Sequence, residues 1–261
     1  MVYFCLGHRL PLPLSRPLFG DRPRFGLEIQ PEDSDWVAWQ QGVDVAYYDT
    51  LQTGIAHTVN RAGYRIAGRI DLAGRQVLEI GPGNLPHVEF WRSMPEHFTA
   101  VDVRPGVLDR ASAILSAAGV THECILLGRD AQGRLPVPDS SIDVIFSFYS
   151  LEHLYPLLPY LAEMKRVLRP GGLLVGAIPA EGGLAWGLGR FMTTRRWMKR
   201  NTSINPDKII CWEHPNYATT VLSALDSEFD NLRRRLWPAR LPWLDINLVA
   251  SFIYAKRPRS C

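Results

Sequence analysis

From about residue 72 the apolar positions alternate between two spacings. Short runs rich in Val, Ile, Leu and Phe read as strands at residues 77–80, 98–103, 124–127, 142–146 and 173–178. Between them lie segments of helical character. Residues 87–94 follow Pro86, which a helix accepts in its first turn. Residues 107–118 place Leu108, Ala111, Leu115 and Ala118 at helical spacing, and Gly119 ends them. Pro159 opens a segment with Leu161, Met164, Val167 and Leu168, stopped by Arg169-Pro170-Gly171-Gly172. Strands alternating with helices predict parallel βαβ units. The expected fold is α/β, a Rossmann-like doubly wound, mostly parallel seven-stranded sheet. A helix over 217–225 and strands over 232–237 and 248–255 would close it with a C-terminal antiparallel hairpin at the sheet edge.

The remaining segments break this rhythm. Residues 1–35 are rich in Pro, Arg and Gly and read as an irregular arm. Residues 36–69 have helical character, with Trp36, Val37, Val43, Tyr47 and Leu51 among their apolar positions and Gly42, Gly54 and Gly63 as breaks. Residues 1–71 are thus expected to form an arm and helical cap, and 72–261 the main domain. Within it, residues 179–215 interrupt the alternation and read as a helical and loop lid inserted over the active-site edge. Residues 216–261 hold the last helix and hairpin.

Composition narrows the class. The 261 residues suit one large domain, and 46% apolar with 21% charged residues favours a folded core over disorder. A net charge of +3 argues against nucleic acid as a bulk partner. Cys5, Cys124, Cys211 and Cys261 are scattered, which predicts free thiols and no metal. The first 30 residues hold no apolar run of signal-peptide length, and no stretch reaches the ~18 apolar residues of a spanning helix. A cytoplasmic protein is expected, with membrane contact at most peripheral.

The first strand runs into VLEIGPGNLPHVEF. Gly81 and Gly83 stand where a ligand meets the carboxyl edge of an open α/β sheet, and lack of a Cβ permits close approach. Asp102 ends the second strand, 21 residues beyond Gly81, where a carboxylate can accept both hydroxyls of a ribose. These features suit NAD and S-adenosylmethionine alike. The dinucleotide fingerprint needs Gly or Ala at the sixth loop position, and here it is Pro86. That disfavours a nicotinamide-dependent oxidoreductase.

Residues 74–178 resemble the class I S-adenosylmethionine-dependent methyltransferases, especially those acting on small molecules. The motifs are Glu79-Ile80-Gly81-Pro82-Gly83, then AVDVRPGVLDRA, then GRDAQGRLPVPDSSIDVIFSFYSLEHL, then KRVLRPGGLLV. The resemblance implies that Gly81 and Gly83 run beside the methionyl part of S-adenosylmethionine. Glu79 and the Ser147 carbonyl would hold its ammonium, Asp102 its ribose and Asp130 its adenine amino group. Glu79 could instead be a structural acid capping turn amides. Leu85 replaces a third glycine. A bulky residue before proline is expected at negative φ, so Asn84 is expected to carry the left-handed turn.

Methyl transfer to a hydroxyl usually also needs a general base. His153, in Ser150-Leu151-Glu152-His153, is the candidate catalytic residue, though a Glu-His pair here can merely brace the loop. Glu213 and His214 are second candidates, with a loop role as their plainer reading; Tyr149 and Tyr155 could line the pocket or pack. Residues 184–200 mix Trp186, Phe191, Met192, Trp197 and Met198 with Arg190, Arg195, Arg196, Lys199 and Arg200. They read as a lid gripping an anionic or lipid-linked acceptor, or as an interfacial helix. On a straight helix Arg195 falls within the apolar arc, which spoils the amphipathic split. The expected function is methyl transfer to a small molecule or glycan, most readily at oxygen. A catalytically inactive S-adenosylmethionine-binding partner or regulator is the alternative.

Overall fold

The computed structural model describes residues 3–43, 55–128 and 134–258. Seven strands form one sheet in the order β3-β2-β1-β4-β5-β7-β6. They are β1 (Gln76–Ile80), β2 (His97–Asp102), β3 (His122–Leu126), β4 (Ile142–Phe148), β5 (Leu168–Pro179), β6 (Asp230–Pro238) and β7 (Asn247–Ala255). β1 to β5 pair in parallel, and β7 runs antiparallel between β5 and β6. The predicted hairpin is therefore the sheet's closing edge. Strand order reverses between β1 and β4, where a doubly wound sheet opens its ligand crevice.

The central strands are apolar on both faces because both are covered. Val77, Val144, Phe146 and Val175 point into one core, while Leu78, Ile145 and Leu174 point into the other. The helices follow the same logic. In chain order they are α1 (Leu12–Phe19), α2 (Arg22–Phe25), α3 (Ser34–Ala38), α4 (Ile55–Tyr64), α5 (Pro105–Ala117), α6 (Leu157–Val167), α7 (Leu184–Arg190), α8 (Arg196–Asn201), α9 (Pro206–Glu213) and α10 (Ala218–Glu228). α5 starts on Pro105, and its Leu108, Ala111 and Leu115 face the first core. Leu161 and Met164 of α6 pack with Leu222 and Leu225 of α10 in the second.

Three expectations need correction. Residues 87–94 are helical only in part, as the 3-10 turn Pro86–Phe90, because the backbone becomes extended at Trp91. The arm is not irregular: α1 and α2 pack on the inserted segment. Arg16 Nε donates to Asp207 at 2.9 Å, Arg22 donates to the carbonyls of His214 and Pro215, and Trp212 Nε1 donates to the Phe25 carbonyl. Trp36, Trp39, Met198, Ile209 and Trp212 make a small core of their own between arm and insertion. Lastly, α4 ends at Tyr64, one residue past Gly63, and that glycine has a packing role besides. A Cβ there would sit 2.3 Å from the Tyr149 hydroxyl, so the glycine permits close packing. Tyr47, Leu51, Gly54 and Cys261 lie outside the described residues. Cys5, Cys124 and Cys211 are free thiols.

Candidate functional site

The glycine loop leaves β1 through two left-handed residues, Gly81 (φ 70) and Gly83 (φ 55). A Cβ on Gly81 would press to 3.2 Å from Ser150, whereas Gly83 faces open space. The third left-handed residue is Leu85 (φ 47, ψ 46), not Asn84 as expected. Such a turn costs Leu about 1–2 kcal/mol. Burial offsets it: Leu85 is 2% exposed in the core that holds Phe98 and Phe146, and removing a Leu from water contributes about 1.5–3 kcal/mol. Its amide donates to the Pro82 carbonyl at 2.9 Å. The Asn84 side chain accepts from Arg110 Nε at 3.2 Å and ties the loop to α5.

Glu79 is the middle member of a buried chain that the sequence reading missed. Trp91 Nε1 donates to His87 Nδ1 at 3.0 Å. An indole N–H only donates, so Nδ1 is bare and the ring proton sits on Nε2. Nε2 then donates to the Glu79 carboxylate, at 2.9 and 2.8 Å from its two oxygens. His87 is fully buried and Glu79 nearly so. Burial holds the Glu79 carboxyl above its ordinary range, with His87 acting in the opposite direction. The sequence signal for His87 was faint: a lone histidine just past a glycine loop.

Asp102 ends β2 as expected and is buried; its Oδ1 accepts from the Arg104 amide at 2.8 Å. Ser147, on β4, pairs with Gly176, and its hydroxyl lies 2.6 Å from that of Ser150. Asp130 lies outside the described residues. Glu79, Asp102 and Ser147 thus gather at the carboxyl ends of three neighbouring strands.

Beside them, loops from three parts of the chain bring together three carboxylates and two histidines. Glu152 and His153 sit in the 3-10 turn after β4, Glu181 directly after β5, and Glu213 and His214 at the end of α9. The Asn216 amide braces the turn by donating to the Leu154 carbonyl at 2.7 Å. His153 Nδ1 lies 3.4 Å from Glu213, whose other oxygen accepts from Trp39 Nε1 at 2.8 Å. His214 Nδ1 lies 3.3 Å from Glu181 without forming a hydrogen bond. Glu181 accepts from Trp186 Nε1 and from both terminal nitrogens of Arg190. The two imidazoles are 4.6 Å apart.

The charges in this cluster diverge. Burial alone would lower the His153 pKa, but Glu213 and Glu152 outweigh it and raise it. Burial would raise Glu213, yet His153 and Trp39 hold it down to about 2. Burial and Arg190 push His214 down to about 4. Burial lifts Glu152 to about 7, and its Oε2 has no hydrogen-bond partner. A nitrogen from each imidazole and a Glu152 oxygen lie within 4.8 Å of one another, a donor set that would suit a divalent cation. Each imidazole already faces a carboxylate through Nδ1, so the cluster is also self-consistent as two Glu-His pairs.

The sequence reading singled out His153, Glu213 and His214, and the fold brings them together. It missed Glu181, whose signal was an acid followed by two glycines just past a strand. It also offered Arg190 and Arg195 as acceptor-gripping cations. Both are buried in internal pairs, with Glu181 and Asp207. Tyr149 donates its hydroxyl to the Asn60 carbonyl and packs on Tyr64, while Tyr155 is exposed.

Known proteins share this framework. Residues 78–176 match the family model described as a methyltransferase domain. The chain is 30% identical over 138 residues to 27-O-demethylrifamycin SV methyltransferase of Amycolatopsis mediterranei, covering 52% of this chain and 50% of that one. This chain spans about half the length of the curated relatives it matches. Among solved structures, the (4+2)-cyclase SpnF superposes with a TM-score of 0.60 at 14% identity, over 90% of this chain and 100% of that one. The N-methyltransferase NodS of Bradyrhizobium japonicum, in complex with S-adenosyl-L-homocysteine, gives 0.57 at 16% identity over 86% and 99%. The cofactor that goes with this domain is S-adenosylmethionine, and a glycine loop backed by a buried acid fits it. By sheet order, loop and matched segment, residues 78–176 carry a methyltransferase domain on the fold of the class I S-adenosylmethionine-dependent methyltransferases.

Proposed function

We propose that the protein transfers the methyl group of S-adenosylmethionine to a hydroxyl of a small molecule or glycan. One observation carries the oxygen reading: His153, set at the carboxyl edge of β4, has its Nδ1 turned to Glu213. That arrangement leaves Nε2 to take a proton, with Glu213 orienting the ring and stabilising the imidazolium. Gly81 and Gly83 would flank the methionyl part, Glu79 and the Ser147 carbonyl its ammonium, Asp102 the ribose and Asp130 the adenine amino group. A sulfonium methyl is already activated, so the protein's contribution is alignment and removal of the acceptor proton. The O-methylated product implied by the name of the rifamycin relative supports this acceptor atom.

Labelled methyl from S-adenosylmethionine, offered to panels of hydroxylated, amine and thiol acceptors, tests the proposal. Transfer to hydroxyls that collapses in His153→Ala is the expected result. Transfer only to amines or thiols, or activity indifferent to His153, would overturn the oxygen reading. A second reading takes its cue from SpnF, a cyclase by name: this chain would use the fold to bind the cofactor without transferring its methyl. Calorimetric binding of S-adenosylmethionine without turnover on any panel would select it. Binding of NAD instead would revive the nicotinamide reading.

A further inference from the structure

Eighteen large apolar side chains are exposed among the described residues. Ten of them fall in three segments, residues 4–14, 188–192 and 241–246, where scattered exposure would have spread them over the chain. These segments are far apart in sequence but joined in space. The buried Asp245 carboxylate accepts from the amides of Leu6 (2.7 Å), Gly7 (2.9 Å) and Leu184 (3.1 Å) and from Trp243 Nε1 (2.8 Å). Phe4 exchanges backbone hydrogen bonds with Pro242 and Leu244. Leu18 and Phe19 of α1 lie directly against Gly187 of α7. One buried acid thus gathers three strips that each present apolar side chains to solvent, including Phe4, Leu6, Phe191, Met192 and Trp243.

The charge around them has one sign. Residues 4–20 and 184–201 contain no acidic residue, and residues 239–246 contain only Asp245, which is buried. Arg196, Lys199, Arg200 and Arg240 are exposed. The structure also removes the objection raised by a straight helix. The segment 191–195 is a π turn, and Arg195, which seemed to spoil the apolar arc, points inward to Asp207. Leu188, Phe191 and Met192 then face outward, with the cations one to two turns further along.

We propose that this face docks on an anionic phospholipid surface, apolar side chains entering the headgroup boundary and the cations meeting lipid phosphates. Its place in the fold gives the docking a use. Pro179 at the end of β5 pairs with Val249 near the start of β7, so residues 241–246 and α7 emerge at the same sheet edge as Glu181 and the glycine loop. An acceptor carried on a lipid would be presented to that edge. This last step rests on the proposed transfer reaction; the docking does not.

The test is co-sedimentation of the full chain with phosphatidylcholine vesicles, with and without phosphatidylglycerol, at low and high salt. Binding to the anionic vesicles that weakens with salt is expected. Replacing Arg196, Lys199 and Arg200 together by Gln should weaken it roughly a hundredfold, since each surface cation contributes about a factor of five. Phe191→Ser with Met192→Ser should weaken it about tenfold or more. These side chains are exposed, so both variants should melt like the parent. No binding by the parent chain, or binding indifferent to both variants, would overturn the proposal. So would a concentration-dependent dimer that Phe191→Ser dissociates, because the face would then belong to a second copy.

Discussion

Glu79 and His87 meet inside the glycine loop, both buried, with the imidazole Nε2–H shared between the two carboxylate oxygens at 2.9 and 2.8 Å. Trp91 leaves this histidine only the neutral tautomer, so it orients the carboxylate without supplying a full positive charge. The acid is left short of a counter-charge, which a ligand ammonium would provide.

Replacing Glu79 by Gln should therefore separate stability from binding. Its folded pKa is raised above 4.5, so its contribution to stability is complete below pH 4.5 and is lost as pH rises through the folded value. At neutral pH the variant should melt higher than the parent, and the gain should vanish on acidification. Its affinity for S-adenosylmethionine should fall. Calorimetry showing undiminished affinity would remove Glu79 from the cofactor site.

The His153–Glu213 pair gives a pH signature. His153 is raised above 6.5, so its stabilisation is present below 6.5 and lost as pH rises through the folded value. Glu213 is lowered from 4.5 to about 2, so its share is present above 4.5 and lost as pH falls towards 2. Both contributions are whole between pH 4.5 and 6.5, where Glu213→Gln should destabilise most. The same change should lower the His153 pKa and move the rising limb of the pH–rate profile to lower pH. NMR titration of the ring and a rate profile check this; an unmoved limb would exclude His153 as the base.

Arg190→Ala would strand Glu181. Burial raises that carboxyl, and Arg190 with His214 outweighs it, holding it at about 2. Removing one partner of such a buried pair costs about 3–5 kcal/mol. Urea denaturation should show a loss of that order, and Glu181→Gln in the same chain should recover part of it. Full stability in Arg190→Ala would mean that other groups carry the charge.

Two glycines make a contrasting pair. A Cβ on Gly176 would lie 1.9 Å from the Ser147 carbonyl oxygen, which is backbone and cannot yield, and 3.1 Å from the Phe252 ring. Gly176→Ala should lose about 3 kcal/mol. Gly189, in α7, has nothing within 4 Å of its added Cβ, so Gly189→Ala should gain about 0.5–1 kcal/mol. Thermal melts of the two variants in opposite directions would bear out the packing around Ser147.

What was legible in the sequence follows from locality. Alternation of Val77 with Leu78 and of Val144 with Ile145 gave the strands, because each residue faces a different core. Glu79, Asp102 and Ser147 were found at strand ends because short-range spacing puts them there. Leu85 was misjudged because dihedral preference is local and the burial that overrides it is not. Glu181, His87 and the internal partners of Arg190 and Arg195 depend on contacts between distant segments. No window of sequence could supply them. The same reason hid the helices of the arm, which are only four to eight residues long and are held by the insertion they pack on.

That mutual dependence bears on how such a protein can diversify. Trp39, just beyond the arm, holds Glu213 from the insertion, and Gly20 of the arm fits so closely on α9 that a Cβ would come within 2.6 Å of the Cys211 sulfur. The arm and the insertion behave as two halves of one cassette clipped onto an unchanged sheet. Chimeras that exchange residues 3–43 and 180–216 together should fold and carry their specificity with them. Exchanging either half alone would leave a tryptophan and a carboxylate without their counterparts.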